Sequence, residues 1–161
     1  MDVIFLDIDG VLNNANDGGK PNKAGFMEKD LAICQNNLEN LKRLLEAFPD
    51  LKIVWSTNWR QCEKDVWFGW QNPCAWLERQ PWMAGRVVGK TPRKLSSEHY
   101  HDIKWWLDDH PETENYVIFE DSYFPKDWFG IDKHVVRCDD EIGLTDADIA
   151  LAADILRGKL A

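Results

Sequence analysis

The sequence predicts an α/β fold in which a mainly parallel central sheet carries helices packed on it. Three observations support this. Short, largely apolar runs recur at residues 3–6, 51–55 and 116–119, the pattern of strands buried on both faces. Stretches with helical apolar spacing separate them, and strand–helix–strand is the unit that makes a parallel sheet. Each apolar run stops at polar residues of a different kind, and the carboxyl ends of parallel strands are where open α/β sheets bind ligands. The 161 residues suit one domain with one sizeable core, residues 1–161.

The first strand, Val3-Ile4-Phe5-Leu6, runs directly into Asp7-Ile8-Asp9-Gly10-Val11-Leu12-Asn13. Gly10 lets the backbone turn where a side chain would obstruct it. A plain Asp-Gly hairpin turn would leave the charge of Asp7 amid apolar residues without a purpose. Two carboxylates at a strand end can hold a hard divalent cation, or one can attack while the other handles protons. Residues 13–25 are rich in Asn, Gly, Asp, Lys and Pro and read as a loop long enough to cover a site. Asp30 then reads as the N-cap of a helix. Leu31, Leu38, Leu41, Leu44 and Leu45 recur at helical spacing up to Phe48, and Pro49-Asp50 stops it. The second strand, 51–55, ends in Ser56-Thr57-Asn58-Trp59-Arg60.

Residues 61–85 predict a small Trp-rich helical elaboration. Trp59, Cys62, Val66 and Trp70 fall on one side of a helix that Asn72-Pro73 interrupts, residues 75–79 add a turn, and Pro81 breaks it. Trp67, Phe68, Trp70 and Trp76 read as core filler, with stacking on a nucleobase as the alternative. Residues 86–88 form a brief strand, followed by a basic loop, Gly89-Lys90-Thr91-Pro92-Arg93-Lys94. Ser96 or Ser97 caps a helix to about Asp109, with Ile103, Trp106 and Leu107 on its apolar side. The strand 116–119 ends in Glu120-Asp121-Ser122, and Val135-Val136 is a short last strand. Thr145 caps a final helix, Asp148 completes a capping box, and Ile149, Ala152, Ala153 and Leu156 face inward.

A net charge of −9 and a pI of about 4.9 argue against a broad basic surface that grips nucleic acid. They leave room for a small basic pocket, or for a metal that offsets the acidity. No segment reaches transmembrane length and no signal-type apolar core opens the chain, so no membrane partner is expected. Cys34, Cys62, Cys74 and Cys138 form no CxxC pair and read as reduced thiols of a cytoplasmic protein.

In a parallel sheet the strand ends share one edge. Asp7 and Asp9, then Ser56, Thr57 and Asn58, then Glu120 and Asp121 therefore converge, with the basic loop nearby. Carboxylates, hydroxyls and a lysine together fit metal-assisted phosphoryl transfer. A cation offsets repulsion between an anionic nucleophile and phosphate, polar groups hold phosphate oxygens, and a lysine takes up charge in the transition state.

These residues resemble the haloacid dehalogenase (HAD) superfamily, mostly magnesium-dependent phosphatases. Asp7-Ile8-Asp9-Gly10-Val11 resembles its DxDGx first motif, Ser56-Thr57-Asn58 its second, and Glu120-Asp121 its acidic fourth. The resemblance covers nearly the whole chain. Residues 9–13, 56–60, 103–107 and 143–145 look like a small-domain subgroup that includes HAD domains of RNA-repair and phage proteins. It implies a Rossmann-like three-layer α/β/α sandwich with little or no cap domain. It implies an aspartyl-phosphate on Asp7, with Asp9 as general acid and then base. Mg2+ would be held by Asp7, the Asp9 carbonyl, Asp121 and Glu120, and Ser56 would hold the phosphoryl group. Gly10, Thr57, Asn58 and Lys90 would contact substrate. Lys94 fits the third motif, Lys90 is the alternative, Lys104 lies mid-helix, and His99 can supply a cation in an altered pattern. A nearly capless site suggests a nucleotide or a nucleic-acid terminal phosphate as substrate. A phosphotransferase of the same family, a non-catalytic phosphate- or metal-binding module and a receiver-like domain stay as alternatives. The DxDG arrangement speaks against the receiver.

Overall fold

The fold is that of a computed structural model, which describes residues 1–18, 25–62, 64–93 and 98–158. In chain order its elements are β1 (Val3–Leu6), α1 (Gln35–Ala47), β2 (Lys52–Trp55), the hairpin strands β3 (Val66–Trp67) and β4 (Trp70–Gln71), α2 (Pro73–Glu78), β5 (Val87–Lys90), α3 (His99–Asp109), β6 (Tyr116–Glu120), β7 (Val135–Arg137) and α4 (Asp146–Leu156). Five strands form one parallel sheet in the order β5-β2-β1-β6-β7. The chain builds outward from β1 through β2 to β5, then returns to the other side of β1 with β6 and β7. The reversal puts a topological switch point at β1, where ligands bind in open α/β sheets.

Strand alternation divides the core into two layers. Ile4, Leu6, Ile53, Trp55, Val117 and Phe119 pack under α1, α2 and α4. Val3, Phe5, Val54 and Ile118 pack under α3, against Ile103 and Trp106. Burial on both faces is why the strands are continuously apolar. The fold is thus the expected Rossmann-like α/β sandwich. Among the described residues between β2 and β5 the chain inserts the hairpin and short helical turns. No helix among the described residues is long and apolar enough to cross a membrane.

Several elements depart from expectation. Helix α1 starts at Gln35, with Cys34 at its cap, rather than at Asp30. Asp30 has a left-handed φ of +59°. Cys34 N donates to Leu12 O, and Ile33 N to Leu31 O, so residues 31–34 are drawn against the turn after β1. Leu31 and Ile33 are buried there without being helical. The helix expected through Val66 and Trp70 is a hairpin, with Val66 opposite Gln71 and Trp67 opposite Trp70. Asn72-Pro73 starts a helix instead of interrupting one. The Asn72 side chain accepts from Cys74 N and Ala75 N, and Pro73 sits where no N–H is needed. Of the four aromatics read as core, Trp76 is buried, whereas Phe68 is 88% exposed and Trp70 39%. Gly89 and Lys90 belong to β5 rather than to a loop. Glu98 occupies the cap of α3, and Ser96 and Ser97 lie outside the described residues. The capping box of Thr145 and Asp148 forms as expected.

Candidate active site at the carboxyl edge of the sheet

Sheet register assembles the site. Leu6 pairs with Trp55 on one side and with Phe119 on the other. The next residue of each chain segment, Asp7, Ser56 and Glu120, is therefore level with its neighbours, and all three are almost wholly buried. Ser56 N donates to Leu6 O at 2.9 Å. The Ser56 hydroxyl is buried and has no partner among the described residues. A buried hydroxyl ordinarily finds one.

Asp7 accepts from Ile8 N at 2.8 Å. The chain then turns tightly, with Val11 N and Leu12 N both donating to Ile8 O. This turn carries Asp9 outward, where it is exposed. Asn13 fixes it: Asn13 Nδ2 donates to Asp9 Oδ1 at 3.0 Å while Asn13 Oδ1 accepts from Gly10 N at 2.9 Å. Trp59 Nε1 donates to the other Asp9 oxygen at 3.2 Å. Gly10 has φ +78°, and a Cβ on it would run into the Asp121 carboxylate. The glycine thus lets the Asp9 turn approach the acidic end of β6.

Glu120 is held on both oxygens. Oε1 accepts from the Ser122 hydroxyl at 2.9 Å, and Oε2 meets His99 Nδ1 at 2.7 Å. His99, the first residue of α3, also lies 4.0 Å from Asp7 Oδ2, and its Nε2 is 3.4 Å from Asn58 Oδ1. Ligand atoms of Asp7, His99 and Glu120 all fall within 4.8 Å of one another. Burial pushes the Asp7 carboxyl well above the usual carboxylate range, and the Glu120 charge adds to it. Burial opposes charge on Glu120 as well. The hydrogen bond and charge of His99 outweigh it, helped by Asp7 and Ser122, and bring Glu120 down to about 2. Burial and Glu120 raise Asp121 to about 6. Such crowding is what a cation relieves, and carboxylate oxygens are the donors that hard divalent cations take. The residues therefore fit a divalent metal.

Not every expected residue joins this group. The Thr57 hydroxyl accepts from Trp59 N and caps a 3₁₀ turn over Asn58–Gln61. Lys90 Nζ donates to Arg60 O at 3.2 Å and lines a separate cavity of about 260 Å3 with Cys62, Lys64 and Glu78. Lys104 bonds to Asp108 on α3. Lys94 lies outside the described residues.

Sequence reasoning missed a buried clamp. Arg60 donates to Thr57 O at 2.6 Å, Thr91 O at 3.0 Å and Asp102 Oδ2 at 2.7 Å. Burial lowers the Arg60 pKa and raises that of Asp102, while each charge works against the other's shift. Asp102 is three residues after His99 and shares its helix face. That spacing, and the position of Arg60 just after Ser56-Thr57-Asn58, were the available signals. The roles of Asn13 and Trp59 in holding Asp9 were also missed, because the Asn13 bond depends on the tight turn after β1 and the Trp59 bond joins segments distant in sequence.

No curated protein and no solved structure matches the chain. Residues 3–149 match the family model described as the HAD domain in Swiss Army Knife RNA repair proteins, and the chain therefore belongs to this family of HAD-like phosphatase domains.

Proposed function

We propose that the chain is a Mg2+-dependent phosphomonoesterase that works through an aspartyl-phosphate on Asp7, and that its substrate is a nucleotide or a nucleic-acid terminal phosphate. One observation carries the reading. Asp7 is buried beside Glu120 and His99, level with a buried hydroxyl, Ser56, that has no partner among the described residues. An unsatisfied donor beside a nucleophile suits an incoming phosphoryl oxygen. The family's description as an RNA-repair domain supports a phosphorylated nucleic-acid end.

In this reading Asp7 attacks phosphorus through a carboxylate oxygen, and the bond to the leaving oxygen breaks. Asp9 gives that oxygen its proton. Asp9 then takes a proton from water as the water attacks the phosphorus, which releases phosphate and restores Asp7. Asn13 and Trp59 hold the two Asp9 oxygens in place for both transfers. Ser56 donates to the transferring group, Asn58 contributes from the exposed side, and Gly10 keeps the turn close to β6. Asp7, Asp121, Glu120 and the Asp9 carbonyl would hold Mg2+, which supplies Lewis-acid relief of charge at the phosphoryl group. Among the described residues His99, whose Nδ1 lies 4.0 Å from Asp7 Oδ2, takes the third-motif role, while Lys94 remains the expected lysine and Lys90 its alternative.

The test is phosphate release from glycerol 2-phosphate and p-nitrophenyl phosphate with Mg2+ and with EDTA. Metal-dependent release is expected. Absence of any metal-dependent release contradicts the proposal.

A further inference from the structure

An open cleft of about 590 Å3 lies against Asp9 and Gly10, and Phe26, Trp59 and Trp70 form its apolar wall. The volume is that of a small-molecule site. The wall is built rather than incidental. Phe68 and Gly69 both have positive φ, +49° and +82°, as the two-residue turn that suits a tight hairpin requires. Trp67 and Trp70 are directly opposite across the hairpin and so share one face. Trp67 meets Trp59 edge-on at 5.3 Å, and Trp70 meets Phe26 edge-on at 5.8 Å. Gln71 N donates to Asp30 O and Asn72 N to Asp65 O, both at 2.7 Å, which ties the hairpin down. Trp59 connects this wall to the reaction, because its ring N–H holds Asp9.

The amide donors at the foot of the cleft are already used. Asn13 donates to Asp9 and to Ala32 O and accepts from Gly10. Asn14 donates to Asp17 and Asn37 and accepts from Asp17 N. Both side chains have spent their N–H donors, so neither donates to the edge of a base. Among the described residues of the lining there is no Lys or Arg, while Asp140 adds a carboxylate. The cleft therefore offers π surface beside the site of the phosphate.

We propose that this cleft stacks the base of a nucleoside monophosphate, free or as the end nucleotide of a strand, while its phosphate meets Asp7. This rests on the phosphomonoesterase reading. The base is recognised by its face and not its edge. Purines therefore bind better than pyrimidines through larger stacking area.

Three measurements test it. The first is the ratio of kcat/KM for 5′- or 3′-AMP to that for glycerol 2-phosphate. It is expected to fall in Trp70→Ala by about 5- to 100-fold, the factor that base–aromatic stacking supplies, and to recover in Trp70→Phe. Trp70 is 39% exposed, so its truncation opens no sealed cavity, and recovery with Phe separates stacking from misfolding. The second is saturation-transfer NMR with adenosine, which carries no phosphate. Transfer to the base protons is expected in the wild type and lost in Trp70→Ala. The third compares AMP with 5′-phosphorylated tetra-adenylate: a higher kcat/KM for the oligonucleotide assigns the strand end as source, a lower one the free nucleotide. If no ester releases phosphate but adenosine still binds through Trp70, the chemical reading falls and the cleft stands. If release is metal-dependent while the AMP ratio is the same in wild type and Trp70→Ala, the cleft proposal is overturned.

Discussion

The Arg60–Asp102 pair gives the sharpest structural prediction. Its side chains are 3% and 0% exposed, so water screens neither charge. Asp102→Ala leaves the Arg60 charge buried with only the carbonyls of Thr57 and Thr91 as partners. Removing one partner of such a pair costs about 3–5 kcal/mol. In a chain of this length about 1 kcal/mol moves the melting midpoint by roughly 2–4 °C, so a fall of roughly 6–20 °C is expected. Asp102→Asn keeps the shape and an acceptor, and loses about 1.5–3 kcal/mol, the worth of a hydrogen bond to a charged group. The double variant Arg60→Met with Asp102→Leu removes both charges, so its cost falls below the sum of the singles by about 1–3 kcal/mol. The assay is urea unfolding followed by tryptophan fluorescence on the wild type, Asp102→Ala, Asp102→Asn, the singles Arg60→Met and Asp102→Leu, and the double variant. A loss under about 1 kcal/mol in Asp102→Ala, or additivity in the double variant, refutes the clamp. The same pair joins the Ser56-Thr57-Asn58 segment to the helix that starts at His99, so Asp102→Ala is also expected to lower kcat more than it raises KM.

Ser56→Ala separates binding from stability. The unfolding free energy should stay within about 0.5 kcal/mol of wild type, because no protein hydrogen bond is lost, while kcat falls by about 100-fold, the cost of one oxyanion-type donor; unfolding and phosphate-release assays read the two effects. Gly10→Ala forces a Cβ into the Asp121 carboxylate at a left-handed φ of +78° and is expected to weaken Mg2+ binding by at least about tenfold, measured by calorimetry. Metal binding also depends on pH. Asp121 is raised from 3.8 to about 6, so in the metal-free protein its stabilising contribution is present below about pH 3.8 and is lost as pH rises through about 6; Asp7 is raised as well and acts in the same direction. Mg2+ takes the place of those protons, and the rise in melting midpoint on adding Mg2+ should grow with pH through about 6 and then level off. A metal-induced rise that is flat across that range contradicts the assignment of these acids to the metal.

The sheet and the main convergence were legible because they rest on strong local signals. Continuous apolar runs ending in Asp7, Ser56 and Glu120 mark buried parallel strands, and strand register does the rest. What escaped rests on contacts distant in sequence. Residues 31–34 carry helical spacing, yet hydrogen bonds to the turn after β1 hold them out of the helix. The aromatic hairpin lacks the Asn-Gly or Asp-Gly turn that would have announced it; Phe68 takes the left-handed position instead. The pattern that suggested an apolar helix face from Trp59 to Trp70 reflects aromatics gathered along a cleft. His99 was legible as a cation of an altered pattern, but its bond to Glu120 was not, since that bond joins α3 to β6.

The account turns on covalent attachment of phosphate to Asp7. The direct measurement is acid-quenched trapping of the enzyme during turnover with Mg2+, with mass spectrometry locating the phosphate. The account predicts a phosphoryl group on Asp7 in the wild type, and neither adduct nor turnover in an Asp7→Asn variant that still unfolds cooperatively. Sustained turnover by Asp7→Asn, or turnover in the wild type with the phosphate trapped on another residue, contradicts it.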